Sequence, residues 1–208
     1  MISDFAPENE LIKKGYKYIC GVDEVGRGPL AGPVTVCAAV IDISKFCDGV
    51  TDSKKLSEKK RELLFPEIEK CCLCYKVVSA DAKRIDEINI LNATKECMVK
   101  AVETLEILPD IVLIDAVKLN LSVESKSIIH GDALSYAIGC ASILAKVSRD
   151  RYMARCDEQY PEYGFKKNKG YGTKEHIEAI IKYGVTPLHR AQFVQSAVEH
   201  YEQKGGRQ

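Results

Sequence analysis

Residues 111–114 read Ile-Val-Leu-Ile, and Asp115 closes the run. Consecutive apolar residues with no alternation describe a strand buried on both faces. Such a strand belongs to the middle of a sheet covered by helices on each side. Its neighbours support that reading. Residues 17–23 (KYICGVD) predict a strand ending at a turn, residues 34–42 (VTVCAAVID) a second, and residues 72–80 (CLCYKVVSA) a third. The Gly- and Pro-rich VGRGPLAGP between the first two is loop. Ser57 caps a helix that runs to about residue 70 through the amphipathic EKKRELLFPEIEK. A second helix is predicted over 92–107 and is ended by Pro109. A long helix is predicted over 132–155, rich in Ala and Ile at first and basic later, and two more from Thr173 to Lys182 and from Ala191 to Glu202. Strands come first as neighbours and then alternate with helices. The expected fold class is therefore α/β: a mixed β-sheet flanked by helices, with a small helical C-terminal element.

The chain has 208 residues, 46% of them hydrophobic, which suffices for one domain with a real core. Linkers are short, so one domain is expected over 1–208, with 191–208 as a peripheral helix and a frayed GGRQ tail. The N-terminal stretch carries acids and lysines and no apolar run, so neither a signal peptide nor a membrane span is expected. Nine cysteines, an odd number, suit free thiols in a reducing compartment, and a cytoplasmic location is expected. Cys71 and Cys74 form a C-x-x-C, but no second pair stands at zinc-ligand spacing, and burial explains them.

The formal net charge is zero, which argues against a protein held on nucleic acid by bulk electrostatics. The basic residues are nevertheless clustered. Lys54, Lys55, Lys59, Lys60 and Arg61 form one group, Lys146, Arg149, Arg151 and Arg155 a second, and Lys166, Lys167, Lys169 and Lys174 a third. Each group alone is explained as a solvated face. Together they lean toward a polyanionic partner.

Four acids stand out by position. Asp23 and Glu24 sit where a strand meets a Gly-rich loop, Asp115 ends the apolar run, and Asp132 opens the long helix. Singly, Asp132 is a competent helix N-cap, Asp115 a loop starter and Asp23-Glu24 a turn. Collectively they lie at strand ends and a helix start, where open α/β sheets place their sites. Gathered carboxylates repel one another and call for cations. Oxygen ligands without His or Cys favour Mg²⁺ or Mn²⁺ over zinc, and a pair of such ions suits phosphodiester cleavage. Chain separation does not show that these acids meet.

The segments GVDEVGRGPLAGPV, TDSKKLSEKKRE, LIDA, GDALSYAIGCASILAKVSRDRYM and GYGTKEH, then HR followed by Phe193, occur in that order from about residue 18 to 193. In this the chain resembles ribonuclease HII, the type 2 ribonuclease H family. The resemblance implies an RNase H-like fold and a metal-dependent endonuclease whose four carboxylates fall on Asp23, Glu24, Asp115 and Asp132. It implies two Mn²⁺ or Mg²⁺ ions, hydrolysis of RNA in RNA–DNA hybrids, and cutting 5′ of ribonucleotides embedded in duplex DNA to leave 5′-phosphate and 3′-OH ends. Ribonucleotide excision in DNA replication and repair, by a monomer, is the implied setting. The sister family, ribonuclease HIII, shares the fold but usually carries an extra N-terminal domain, for which the start of the acidic motif at residue 23 leaves no room. A non-catalytic hybrid-binding protein and a small-molecule phosphatase are further alternatives. The intact acids speak against the first, the basic clusters against the second.

Gly26, Arg27 and Gly28 follow the acids directly, as an ordinary tight turn or as backbone that approaches a ligand closely. The family uses this segment to contact the ribonucleotide, whose 2′-OH separates RNA from DNA. Tyr171, between two glycines and beside lysines, is a surface tyrosine or a stacking platform. The matching tyrosine of the family packs on the nucleotide 3′ of the ribonucleotide. Lys54 and Lys174, and with them Arg149 and Arg151, are read as phosphate contacts. His189 and Arg190 either contact nucleic acid or pack the last helix, with packing favoured. Departures from the family pattern are small: HGD for KGD before Asp132, IGCASI for IAAASI, and HRAQF for HR-x-SF.

Overall fold

The structure is a computed structural model that describes residues 6–203 and Gly205. The rest of the predicted C-terminal tail lies outside the described residues. In chain order the elements are α1 (Ala6–Lys13), β1 (Ile19–Val25), β2 (Val34–Ile41), α2 (Glu58–Cys71), β3 (Cys72–Ala80), α3 (Ala82–Ile88), α4 (Ile90–Glu103), β4 (Ile111–Asp115), β5 (Glu124–Ile128), α5 (Gly131–Leu134), α6 (Tyr136–Gln159), α7 (Phe165–Asn168), α8 (Lys174–Tyr183) and α9 (Ala191–Gln203). They fall into two compact units. The first comprises residues up to Val25, Thr35–Val78 and Lys95–Val147, and the second Gly26–Val34, Ser79–Thr94 and Ser148 onward.

The first unit holds a five-stranded mixed sheet in the order β3-β2-β1-β4-β5. β1 and β2 pair antiparallel, while β1 with β4 and β4 with β5 pair parallel. The apolar run behaves as expected of an inner strand: Ile111, Val112, Leu113 and Ile114 are all buried, and β2 is buried along its whole length. The N-terminal half of α6 packs over this sheet with Tyr136, Ile138 and Leu144 in the same core as Ile19, Ile41 and Leu113. Contact is closest at Gly21, where an added Cβ would stand 2.0 Å from the Ala137 carbonyl carbon. Only a residue without a side chain lets β1 and α6 meet backbone to backbone.

The second unit has its own core, in which Leu30, Met153, Phe165, Ile180 and Val194 meet. α9 contributes Val194, so the C-terminal helix is part of that core.

Several expectations change. The helix predicted over 92–107 is α4, which starts at Ile90 and stops at Glu103 well before Pro109, and α3 ahead of it was not predicted. Asp81 caps α3 by accepting from Arg84 N–H at 2.8 Å, and Asn89, with φ of 66°, separates the two helices. The long helix over 132–155 is two. Ser135 adopts an extended backbone and divides α5 from α6, so Asp132 belongs to a separate short helix. β5 was not legible, because its ESKSI sequence is polar and exposed at a sheet edge. All nine cysteines are free, six of them buried. Cys71 and Cys74 are only half-buried, and burial raises both thiols, which makes them poor nucleophiles. No described helix is long and apolar enough to cross a membrane.

Candidate active site

Register explains how residues 92 positions apart in the chain come together. The last paired residues of β1 and β4 are Val22 and Ile114. Asp23 and Asp115 are the next residue on each strand, side by side at the C-terminal ends of two parallel neighbours. Gly131 N–H donates to Asp115 Oδ1 at 2.8 Å, and this bond ties the start of α5 to the end of β4. It brings Asp132 to the same strand ends. The backbone helps, because His130 takes a left-handed conformation, with φ of 58°, just before α5. As a non-glycine residue in that region it carries strain that marks a constrained turn. His130, not Asp132, is the residue at the N-cap position, and no side chain caps there. Capping therefore does not account for Asp132.

The electrostatics follow from this proximity. Asp23 is only 6% exposed. Burial first, then the charges of Glu24 and Asp115, push its carboxyl up to about 8, against a hydrogen bond from Ser142 and one from Glu24 N–H at 2.8 Å. Asp132 is also raised, by burial, by Asp52 and by Asp115, with Lys54 opposing. Lys54 Nζ stands 3.6 Å from Asp132 Oδ2. Burial lowers its ammonium, but the carboxylates of Asp132, Asp23, Asp52 and Asp115 together outweigh that and hold it above its ordinary value. One lysine thus faces a set of acids whose charges disfavour ionisation of Asp23 and Asp132.

Among the described residues, no three His, Cys, Asp or Glu side chains close on one point as a ready-made metal cage. The fit to a hard cation lies in the donor chemistry. Asp23, Glu24, Asp115 and Asp132 offer oxygen only, and a divalent ion would offset the burial and the neighbouring charge that raise the Asp23 carboxyl.

In the second unit, residues 26–33 form a loop laid against Gly170–Gly172. Leu30 and Ala31 N–H both donate to Gly170 O, at 2.8 and 3.2 Å. Gly26 (φ 88°) and Gly170 (φ 86°) are in conformations that favour glycine. A Cβ on Gly28 would lie 3.8 Å from the Tyr171 ring, which is half exposed.

The family model for Ribonuclease HII matches residues 20–196. The chain belongs to the ribonuclease HII family. Ribonuclease HII of Caldicellulosiruptor bescii is 55% identical over 193 residues, which cover 92% of this chain and 94% of that one. The crystal structure of ribonuclease H2 from Pyrococcus horikoshii OT3 aligns with a TM-score of 0.73 at 29% identity, over 89% of this chain and 99% of that one. A Bst-RNase HIII structure in complex with Mn²⁺ aligns with a TM-score of 0.68 over 91% of this chain and 71% of that one. At 17% identity it shares the fold alone. The protein is a ribonuclease H, a hydrolase of the family that degrades RNA in RNA–DNA hybrids.

For a ribonuclease HII, the placement of the remaining candidates matters. Arg27, Lys54, Arg151, Tyr171 and Lys174 are exposed, although Lys174 Nζ lies 3.7 Å from Glu178. Arg149 is not, and its reading as a phosphate contact is corrected. It is 0% exposed, and its guanidinium donates to Pro33 O at 2.8 Å, Lys169 O at 2.9 Å and Ala31 O at 3.2 Å. A side chain enclosed and committed to three carbonyls shapes the loop instead of touching substrate. Arg190 acts likewise, which supports packing for that dipeptide, and both of its residues are buried. Ser142 and Asp52 were missed. Both lie inside recognised segments, but a serine on an apolar helix and an acid before lysines carry no sign of the carboxyl group each will face.

Proposed function

We propose that Asp23, Glu24, Asp115 and Asp132 hold two divalent ions, Mn²⁺ or Mg²⁺, and that the protein hydrolyses the phosphodiester on the 5′ side of a ribonucleotide. The substrate is RNA in an RNA–DNA hybrid or a ribonucleotide embedded in duplex DNA. Water adds to phosphorus, the bond to the 3′ oxygen of the preceding nucleotide breaks, and that oxygen takes up a proton. The products carry a 5′-phosphate and a 3′-OH. The observation that carries this reading is the meeting of Asp23 and Asp115 at adjacent parallel strand ends, with Asp132 drawn in through the Gly131 bond. When bound, the ions supply Lewis-acid activation of the water and neutralise charge on the leaving oxygen.

The chain's own residues do the rest. Ser142 and the Glu24 amide orient the Asp23 carboxyl. Lys54 supplies a positive charge beside Asp132 that a substrate phosphate can share. Gly26, Arg27 and Gly28 offer a loop for the ribose, and Tyr171 a half-exposed ring for the following nucleotide. Lys174 and Arg151 add exposed charge for the backbone. The two units work as one catalytic domain, a reading supported by a chain that crosses between them repeatedly and by a family match that spans both.

The test is Asp115→Asn on a duplex holding a single ribonucleotide. Cleavage is expected to fall by on the order of a hundredfold or more, as when a charge stabiliser of a hydrolytic site is removed. Cutting at the wild-type rate with Mg²⁺ would remove Asp115 from the site. Mapping the ends of the wild-type product locates the broken bond.

A further inference from the structure

His176 and His189 face each other with Nε2 to Nε2 at 3.1 Å, inside the core of the second unit. Their remaining partners determine where every proton sits. Thr186 N–H donates to His189 Nδ1 at 2.9 Å, so that nitrogen carries no proton. In a neutral ring the proton is then on Nε2, aimed at His176. His176 Nε2 must accept it, which places the His176 proton on Nδ1. That nitrogen lies 2.8 Å from the Tyr171 carbonyl, which can only accept. One pair of neutral tautomers satisfies every link. A charge on either ring would set a donor against a donor. Both rings are buried and pack against Tyr163 and Phe165.

Arg190 is the next residue. Its side chain is fully buried and donates to Gly26 O at 2.6 Å, Arg27 O at 2.9 Å and Gly32 O at 2.8 Å. Its own amide donates to Leu30 O at 2.8 Å. We propose that the His189–Arg190 dipeptide positions both substrate-reading loops: Arg190 sets the Gly26-Arg27-Gly28 backbone, and His189, relayed through His176, sets the Tyr171 carbonyl. Consecutive residues have Cα atoms about 3.8 Å apart, so one loop cannot shift without disturbing the other's anchor. The two loops are thereby kept in register with two successive nucleotides. This rests on the reading of those loops given under the proposed function.

The test uses a pair of variants that differ only in where an amide stands. The side chain of His176→Asn reaches the Nδ1 position and can still donate to Tyr171 O, whereas that of His176→Gln reaches the Nε2 position and cannot. The readout is the ratio of cleavage rates on a duplex with one ribonucleotide and on a uniform RNA–DNA hybrid, with Tyr171→Ala alongside and thermal melting as the check on folding. His176→Asn keeps the bond to Tyr171 O but loses the link to His189, and is expected to lower the ratio to a value between wild type and His176→Gln. His176→Gln is expected to lower it by on the order of tenfold, toward that of Tyr171→Ala, because the Tyr171 carbonyl loses its donor. A folded Gln variant with the wild-type ratio would overturn the hold on Tyr171, and a folded Asn variant with the wild-type ratio would overturn the relay from His189. Nitrogen-15 spectra of the wild type read the tautomers directly. Neutral His189 protonated on Nε2 and neutral His176 protonated on Nδ1 support the relay, and reversed tautomers or a cationic ring at pH 7 overturn it. Tyr171→Ala with an unchanged ratio sinks the reading of Tyr171, and the spectra then decide the relay separately.

Discussion

Asp23 is the residue at which stability and function pull apart. Its carboxyl is pushed up to about 8 in the folded protein, against an ordinary value of 3.8. Between those values the folded state keeps a proton that the unfolded state has released. By linkage, stability contributed at this site is greatest below 3.8 and is lost as pH rises toward about 8. The melting temperature of metal-free protein is expected to decline over that window more than that of Asp23→Asn, whose amide does not titrate. At pH 8 the variant should melt higher by on the order of a few degrees. Adding Mn²⁺ or Mg²⁺ should raise the wild type and leave the variant nearly unmoved. Parallel pH profiles for the two proteins would mean that Asp23 is already ionised in the fold. The sequence marks Asp23 as an acid beside a Gly-rich loop. It does not show that the carboxyl is enclosed, because the enclosing groups come from β4 and α6.

At the scale of elements, the site depends on how α6 begins. Ser135 stands between α5 and α6, and its Oγ accepts from Ile138 N–H at 3.2 Å, as an N-cap does. Glu8, from α1, completes the cap across 127 residues of chain: its Oε1 accepts from the Ser135 hydroxyl at 2.5 Å and from Ala137 N–H at 3.0 Å. Glu8→Ala removes an acceptor from two buried donors and is expected to cost about 1–3 kcal/mol, read from the midpoint of urea denaturation. A midpoint equal to wild type would show that α1 does not support this junction. Gly21→Ala attacks the same junction from the sheet side. Its new methyl would have to displace the Ala137 backbone, and overpacking of this kind costs about 1–3 kcal/mol or more. The variant should also cut more slowly, although it removes no carboxylate. Full activity with an unchanged midpoint would mean that β1 and α6 can separate freely.

Over the whole molecule the charge sums to zero, so attraction for a nucleic acid has to come from local groups. Lys54, Lys55, Lys59 and Lys60 are exposed in the first unit, and Lys166, Lys167 and Lys174 in the second. Binding of a hybrid duplex is expected to weaken as salt rises, with a logarithmic slope of about −0.9 for each phosphate neutralised. Lys174→Ala should make that slope shallower by about one, since its contact with Glu178 is an exposed pair of little strength. A slope identical to wild type would take Lys174 off the phosphate backbone.

Local properties of the chain were enough for part of this protein. The unbroken apolar run at 111–114, the Ser57 cap and the order of the recognised segments are all contained in short stretches of sequence. They announced a covered sheet, most of its helices and the four acids. What only the tertiary structure decided involves partners far apart in the chain. Ser135 splits a helix that composition reads as continuous, ESKSI becomes a strand because β4 offers it an edge, and Arg149 turns inward to the carbonyls of a loop more than a hundred residues earlier. Periodicity and propensity report what a segment prefers by itself. Strand register, backbone contact at Gly21 and the burial of Asp23 depend on which other segments arrive, and those set the chemistry of the carboxylates.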